Sequence, residues 1–289
     1  MDYVGHLIRP PSEANSIILQ VTVGCSHNKC TFCGAYKGIS FTVKPAATVD
    51  ADIAFAKKHC RLHKRVFLAD GDVLIMKQSY LVTLFNTIRR ELPWVKRISL
   101  YGSGRAIALK SESELSELKQ LGLDRVYMGL ESGCNEVLKR VIKGDTAESM
   151  VAAGKKIRMS GLFLSVTVLM GLGGLELSRQ HAILTAGALN NIAPQQVAAL
   201  TLMVLENTPL GRDMRNGVFQ MLGPDKILEE LHTLVSHLDL ERAQFHANHA
   251  SNYLHLSGRL SKDKDKILAE IALALTGRKK IISEKLRAL

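Results

Sequence analysis

Three cysteines fall within nine residues, in the run GCSHNKCTFCG that starts at Gly24, while Cys60 and Cys134 stand alone. Such clustering points to a metal rather than to a disulfide framework. Three thiolates on one short loop, Cys25, Cys30 and Cys33, can bind three irons of a cubane and leave the fourth iron without a protein ligand. An open iron is what a catalytic cluster needs, since a substrate can coordinate it and receive an electron. The other reading is a zinc site completed by His27, His59 or Cys60. Structural zinc takes four protein ligands, usually as two pairs, and here the second pair is missing.

A loop of this kind needs regular elements to hold it, and apolar runs do alternate with amphipathic stretches. Residues 17–23 read as a first strand and 49–63 as a helix; 65–68 is a second strand, 79–92 its helix, and 97–101 a third strand. The next helix opens at Ser111 with Glu114 three residues on, a capping box that satisfies two unpaired backbone donors, and ends near Gly122. A fourth strand over 125–129 leads into helical sequence up to Ser160, with Gly161 as the stop. A fifth strand over 163–170 precedes a helix over 177–192, a sixth covers 196–204, and Pro224 suits the first turn of the last helix.

Six strand-then-helix units imply a parallel sheet with helical crossovers. Right-handed crossovers coil such a sheet into a barrel or partial barrel. The expected class is α/β, a partial (β/α)6 TIM-like barrel with a short C-terminal extension. Its segments are 1–16 at the N-terminus, 17–240 as the barrel, and 241–289 as a cap and basic helical tail. In these folds the chemistry lies on loops at the C-terminal ends of the strands.

Those strand ends carry polar groups. The second ends in Asp70-Gly71-Asp72, where glycine lets the backbone approach a ligand and the acids favour an ammonium, unless the turn is simply solvated. The third offers Ser103 and Arg105, suited to ribose or carboxylate contact. The fourth ends in Gly129-Leu130-Glu131-Ser132-Gly133, with Arg140 and Lys143 downstream, and the fifth in a glycine turn at Gly171. After the sixth, Glu206 either faces the substrate or caps its own turn. Farther on, His246, Asn248, His249, Asn252 and Tyr253 crowd eight residues. Their side chains either bind nearby backbone or converge on a substrate at the open side of the barrel.

Hydrophobic residues make up 46% and charged residues 22%, a soluble globular balance that argues against disorder. The most apolar stretch, 162–172, is too short to span a bilayer as a helix, and the N-terminus has no apolar core of the signal-peptide kind. A cytoplasmic protein without a membrane partner is expected. Of the formal charge of +11, residues 259–289 supply +5, from nine Lys/Arg against four Asp/Glu. This tail is a solvated basic helix or a patch for an anionic partner such as RNA.

The triple-cysteine loop after the first strand, with Phe32 before the third cysteine, resembles the radical S-adenosylmethionine (SAM) superfamily. The commonest spacing there is C-x3-C-x2-C, whereas here it is C-x4-C-x2-C. The Asp70–Asp72 turn stands where that superfamily usually has a Gly-Gly-Glu-like turn for the amino group of SAM. The run from Gly129 through Val137 and Lys143 to Gly144 is similar to one common in members related to methylthiotransferases and coproporphyrinogen dehydrogenase. The resemblance implies one 4Fe-4S cluster on Cys25, Cys30 and Cys33, with SAM on its open iron. It places Glu131 and Ser132 at the ribose, Lys143 at the SAM carboxylate with Arg140 as a second cation, and the Gly171 turn against adenine. Cys134 is then structural. An electron from reduced flavodoxin or ferredoxin would break the sulfur–carbon bond, giving methionine and a 5′-deoxyadenosyl radical, so the enzyme is expected to be oxygen-sensitive.

The substrate is not legible. No second cysteine cluster is present, so an auxiliary cluster is not expected. A small anionic metabolite or cofactor precursor is the first choice, RNA modification the second, and a zinc-dependent nucleic-acid-binding protein the reading from another class. If the three clustered cysteines are the ligands, changing any of them to Ala should abolish iron in anaerobically purified protein. Cys60→Ala and Cys134→Ala should keep it; iron and sulfide analysis reads the difference, and iron lost from either of these two means the ligand set is wrong.

Overall fold

The computed structural model describes every residue except His6 and Leu289. They form two compact units: Met1–Asn28, Ala35–Met128 and Lys156–Leu164 make the first, and Lys29–Gly34, Gly129–Lys155 and Ser165–Leu289 the second.

In the first unit, β1 (Ile17–Gln20) is followed by an antiparallel pair, β2 (Thr22–Val23) and β3 (Thr42–Val43), and then by α1 (Ala46–His59). Next come β4 (Arg65–Ala69), α2 (Gln78–Glu91), β5 (Arg97–Tyr101), α3 (Gly104–Leu109), α4 (Glu112–Gln120) and β6 (Leu123–Glu131), whose last residues belong to the second unit. β1, β4, β5 and β6 pair in parallel in that order, which requires the crossover helices. α2 buries Leu81, Leu84, Phe85 and Ile88 at helical spacing, so one stripe meets the core. The expected capping box of Ser111 and Glu114 starts α4, and Gly122, at φ +107°, follows its end. Phe67 meets Tyr101 edge-on at 5.2 Å and Tyr127 at 6.0 Å between ring centres. The fully buried Glu13 accepts from the Tyr127 hydroxyl (2.7 Å) and from Arg97 (3.1 Å). Paired in this way, its carboxylate avoids the cost of an isolated buried charge.

The second unit takes the end of β6, α5 (Asn135–Arg140) and most of α6 (Ala147–Met159). β7 (Phe163–Met170), from Ser165 on, α7 (Gly174–Ile192), β8 (Gln196–Thr201), α8 (Pro209–Arg215) and α9 (Pro224–His237) continue it. β9 (Gln244–Ala247), β10 (Leu256–Arg259) and α10 (Lys264–Leu275) complete it. β7, β8 and β9 are parallel, and β10 is antiparallel to β9. Together the longer strands form one eight-stranded sheet in the order β1-β4-β5-β6-β7-β8-β9-β10. Among the described residues no helix is long and apolar enough to cross a membrane.

Three local expectations change. The strand expected over 17–23 breaks after Gln20, because Thr22 and Val23 turn aside to pair with β3, a two-residue strand whose side chains are exposed and leave no apolar signal. The strand expected over 196–204 stops at Thr201, beyond which the chain leaves the ladder. The segment 241–289, expected as a cap and basic helical tail, also contributes two strands, β9 and β10, and its helical part ends at Leu275. Past it the chain doubles back, with Ile282 donating its amide to the Tyr253 carbonyl at 2.7 Å.

Arg287 anchors that return. Its guanidinium is fully buried and donates to the Ser251 carbonyl (2.6 Å), the Leu202 carbonyl (2.9 Å), the Tyr253 hydroxyl (2.6 Å) and Glu284 (2.7 Å). Arg287→Ala strands two carbonyls and should cost about 3 kcal/mol. A melting temperature lower by roughly 6–12 °C is expected; an unchanged melt would show that the tail is not anchored there.

Candidate functional site

In the first unit, Gly24 adopts φ +83° and delivers the chain to Cys25, which is half-buried. The Asp70–Asp72 turn at the end of β4 lies against it. The Gly71 amide donates to the Gly24 carbonyl at 3.2 Å, and a Cβ on Gly71 would stand 2.8 Å from the Tyr36 ring and 3.1 Å from the Cys25 Cβ. Only glycine allows this approach. The two acids of the turn face inward. Asp70 accepts from the Tyr36 hydroxyl and, at 3.4 Å, from Gln20, while Asp72 accepts from the Ser103 amide (3.0 Å), the Ser103 hydroxyl (2.9 Å) and the Ser26 hydroxyl. Burial pushes the Asp70 carboxyl up, against the pull of the Tyr36 and Gln20 bonds; it also pushes the Tyr36 phenol up, reinforced by Asp70. Ser103 caps α3 through the Ala106 amide, and Arg105 is exposed on the first turn of that helix.

In the second unit, residues 29–34 are stapled on both sides: the Thr31 amide donates to Val141 at 2.9 Å, and the Leu210 amide to the Thr31 carbonyl at 3.0 Å. Cys30 and Cys33 are half-buried, and Phe32 packs on the apolar cluster that contains Cys134, Val137, Leu172 and Leu202. Lys143 and Glu131 form an ion pair at 3.1 Å, each only 14% exposed. Burial alone would pull the Lys143 ammonium down, but the Glu131 carboxylate and the Cys30 thiol beside it push its affinity for the proton up. Glu131 sits at φ +61°, and a Cβ on Gly129 would collide with its carboxylate as it is placed, so the small residue leaves room for the ion pair. Arg140 lies on the surface, bound to Glu136 (2.7 Å) and Glu176 (2.9 Å).

The Ser132 side chain is fully buried: its oxygen accepts from the Cys134 amide at 2.9 Å and lies 2.7 Å from His181 Nδ1. Gly171, at φ +86°, donates its amide to Glu230 at 2.6 Å. Glu206 and Asn248 are exposed. The residues crowded at 246–253 do not form one constellation. Asn252 is buried, accepting from Thr201 (2.8 Å) and donating to the Ala199 carbonyl (3.0 Å), and Tyr253 is buried against Arg287 and Glu284. His249 bonds Ser251 at 2.9 Å, while burial and then His255 push its imidazole down. His246 lies on β9 with its Nδ1 3.2 Å from the Ser257 hydroxyl.

The register shows what shares a face with His246. Thr167, Ala198, His246 and Ser257 lie side by side across β7, β8, β9 and β10. Ser165, Gln196, Gln244 and Arg259 form the next row on that face, and Leu169 and Leu200 lie on its other side. Val166, Val197 and Phe245, on the opposite face, are fully buried. Thr167, Ala198 and His246 are half-buried and Ser257 is exposed. Ser165 and Gln196 are buried, while Gln244 and Arg259 are exposed, and no carboxylate lies in these rows. Tyr36, Gln20, His181 and Glu230 were not legible as site residues, since the contacts that bring them to the site, to Asp70, Val4, Ser132 and Gly171, span 16 to 59 positions and no local motif marks them.

Among the described residues no three Cys, His, Asp or Glu side chains stand together as a metal-holding group. The family model of the radical SAM superfamily matches residues 19–184. A tRNA uridine(34) acetyltransferase of Methanocaldococcus infernus is 27% identical over 120 residues, 41% of this chain and 22% of that protein. A 4′-phospho-dehydrooxetanocin synthase of Priestia megaterium is 24% identical over 176 residues, 54% of this chain and 23% of that protein. The chain thus spans less than a quarter of these curated relatives. Among solved structures, methylornithine synthase matches with a TM-score of 0.54 at 18% identity, over 78% of this chain and 65% of that one. Coproporphyrinogen III oxidase from Escherichia coli matches at 0.56 and 16% identity, over 76% and 51%. These likenesses show the fold, a mostly parallel α/β sheet of the partial-barrel kind.

Asp72 fixes the β4 and β5 ends through three donors. Asp72→Ala should cost about 2–3 kcal/mol by stranding them, a melting temperature lower by about 4–10 °C. Asp72→Asn, which keeps one oxygen acceptor, should lose roughly half as much; thermal melts of the two variants check the order, and equal losses would count against the hydrogen-bond account.

Proposed function

The chain belongs to the radical SAM superfamily, and from that premise we propose that Cys25, Cys30 and Cys33 hold its cluster and that its substrate is a small anionic metabolite or cofactor precursor. It is an enzyme, not the zinc-dependent nucleic-acid-binding protein that the cysteine loop also allowed, and its cofactors are a 4Fe-4S cluster and SAM. The donor chemistry of the loop supports that pair. Three thiols on one loop, none in a disulfide, are the donors such a cluster takes, and a glycine turn approaches Cys25 where a side chain would collide. When bound, the cluster and SAM supply a 5′-deoxyadenosyl radical.

The protein's own groups bind and orient. The observation behind the SAM reading is Lys143, held by Glu131 and close enough to Cys30 to be influenced by its charge. A fixed ammonium suits the SAM carboxylate, and a carboxylate at Glu131 suits ribose hydroxyls. The Asp70–Asp72 turn, with its acids bonded inward, offers backbone carbonyls to the SAM amino group. Ser103, Arg105 and the Gly171 turn complete the proposed contacts, and Phe32 supports the loop from its apolar side. Arg140, bound to two surface glutamates, is left out of this set.

For the substrate, the support is the carboxylate-free face of β7 to β10. Its His246, Ser257 and Arg259 suit an oxygen-rich anion, and Ala198 leaves room beside them. RNA is the second reading, favoured by the +11 charge and by a relative that is a tRNA acetyltransferase. The electron donor proposed is a reduced flavodoxin or ferredoxin.

Anaerobically reconstituted protein reduced with dithionite should convert SAM slowly to 5′-deoxyadenosine, seen by chromatography. Lys143→Met should weaken SAM binding roughly 10–100-fold, the loss of about 1.5–3 kcal/mol for a charged hydrogen bond. A small-molecule fraction of cell extract should stimulate 5′-deoxyadenosine formation, and His246→Ala should lose that stimulation while keeping the basal rate. Stimulation by the RNA fraction alone, abolished by ribonuclease, makes RNA the substrate; an intact reduced cluster without 5′-deoxyadenosine sinks the reaction assignment.

A further inference from the structure

α7 and α9 pack against one another with apolar stripes, and each places one ionisable side chain in the contact. His181 lies among Leu177, Ala182, Thr185 and Ala186 on the buried face of α7, and Glu230 among Ile227, Leu231 and Leu234 on that of α9. His181 is fully buried and Glu230 is 2% exposed. Hydrophobic residues at both positions would pack as well without desolvating a charge, so these two call for a specific account.

Each one holds a strand-end turn from behind. Glu230 Oε1 accepts the Gly171 amide at 2.6 Å and Oε2 accepts the Ser178 hydroxyl. His181 Nδ1 meets the Ser132 hydroxyl at 2.7 Å, and the same serine oxygen takes the Cys134 amide at 2.9 Å. Among the described residues His181 Nε2 makes no close hydrogen bond; it lies 3.7 Å from Glu230 Oε1, and the Leu169 backbone also acts on the ring as an acceptor. Since Nε2 faces an acceptor, it carries the ring proton, and Nδ1 accepts from Ser132. A chain therefore runs from the Ser132 turn after β6, through His181 and Glu230, to the Gly171 turn after β7, with one open link.

We propose that His181 and Glu230 are positioning residues that jointly set the Ser132 and Gly171 turns, and through them the wall of the SAM site that meets ribose and adenine. This rests on the SAM contacts proposed above. Gly171 is the sensitive end: its φ of +86° is adopted readily only by glycine, and the direction of its amide is fixed by a single carboxylate oxygen.

The titratable group facing Glu230 from α7 is His181, which burial pushes down to about 4, so it stays neutral. On α9 itself Glu229 is exposed and paired with Lys226, and His232 is half-buried; from α10, Lys264 donates to the Ser236 and Leu238 carbonyls. Burial pushes Glu230 up to about 7, although the Ser178 and Gly171 bonds pull the other way. Two opposite trends follow. Because the folded value lies above the unfolded one, the stability that Glu230 contributes is complete below about 4.5 and is lost as pH rises through about 7. The grip on Gly171 has the reverse dependence, since the ionised carboxylate is the stronger acceptor.

The test uses the reconstituted holoenzyme, with iron content, melting temperature, binding of S-adenosylhomocysteine, and kcat and KM for 5′-deoxyadenosine formation from pH 6 to 8.5. The wild type should melt higher but show a higher KM for SAM as pH falls below about 7. Glu230→Gln should retain iron and flatten both profiles. Glu230→Leu and His181→Leu should raise the KM and the S-adenosylhomocysteine Kd about tenfold at pH 8, with kcat within about twofold, a uniform loss of binding. If the Leu variants do not fold, Glu230→Gln and His181→Gln decide by their pH profiles. Variants that alter melting but leave the KM, the Kd and their pH dependence as in the wild type reduce the pair to a structural role and overturn the proposal alone. A wild type that neither binds nor cleaves SAM removes the functional reading, and the proposal falls with it.

Discussion

A backbone group that must approach a ligand cannot also be satisfied by a sheet ladder, and this constraint governs the strand ends of the protein. Each turn beyond a strand leaves amides or carbonyls outside regular pairing, where an unmet buried group costs about 1–3 kcal/mol. Buried polar side chains take up the remainder. Asp72 holds the Ser103 amide, Thr185 the Gly133 amide, Glu230 the Gly171 amide and Arg287 the Leu202 carbonyl. The glycines belong to the same arrangement: at Gly71, Gly129 and Gly133 a Cβ would strike a neighbour. Polar groups that look ready for chemistry are thus largely occupied in keeping the surfaces of the turns in place.

The distribution of charge follows from this. Asp70 and Asp72 spend their oxygens on hydroxyls, amides and a glutamine, and Glu131 spends one on Lys143. On the face of β7 to β10 that carries His246, the residues that reach the surface are Thr167, His246, Ser257 and Arg259, donors without a carboxylate among them. In a chain of net charge +11 the local bias is reinforced by the global one, and both favour encounter with anions.

Features that depend on near neighbours in the chain were legible in the sequence. The strand expected over 65–68, which runs one residue farther, the strand at 97–101, the α4 capping box and the isolation of Cys134 from the other cysteines rest on local pattern. The family and its partial-barrel fold were legible too, through the cysteine loop and the run from Gly129 to Gly144. Side-chain direction was not. Whether Asp70 faces a ligand or Tyr36 is decided by a residue 34 positions away, and Asn252 turns inward because Thr201 and Ala199 wait for it. β9 and β10 escaped because four residues are too few for a pattern to stand out, and both exist by pairing with β8 and each other.

A sheet whose strand order runs from β1 to β10 has two margins, and each margin is a template on which another chain can add a strand. β1 is occupied by its own N-terminal segment: Gln20 exchanges bonds with the Val4 backbone, and the Tyr3 hydroxyl reaches the Ile18 carbonyl. β10 is guarded differently, by being four residues long, by a glycine at 258 and by the exposed Arg259. The residues that furnish the open face with donors therefore also discourage self-association. Exchanging Arg259 for a β-branched residue would cost the protein its solubility margin as well as a charge, with aggregation through strand addition as the failure mode.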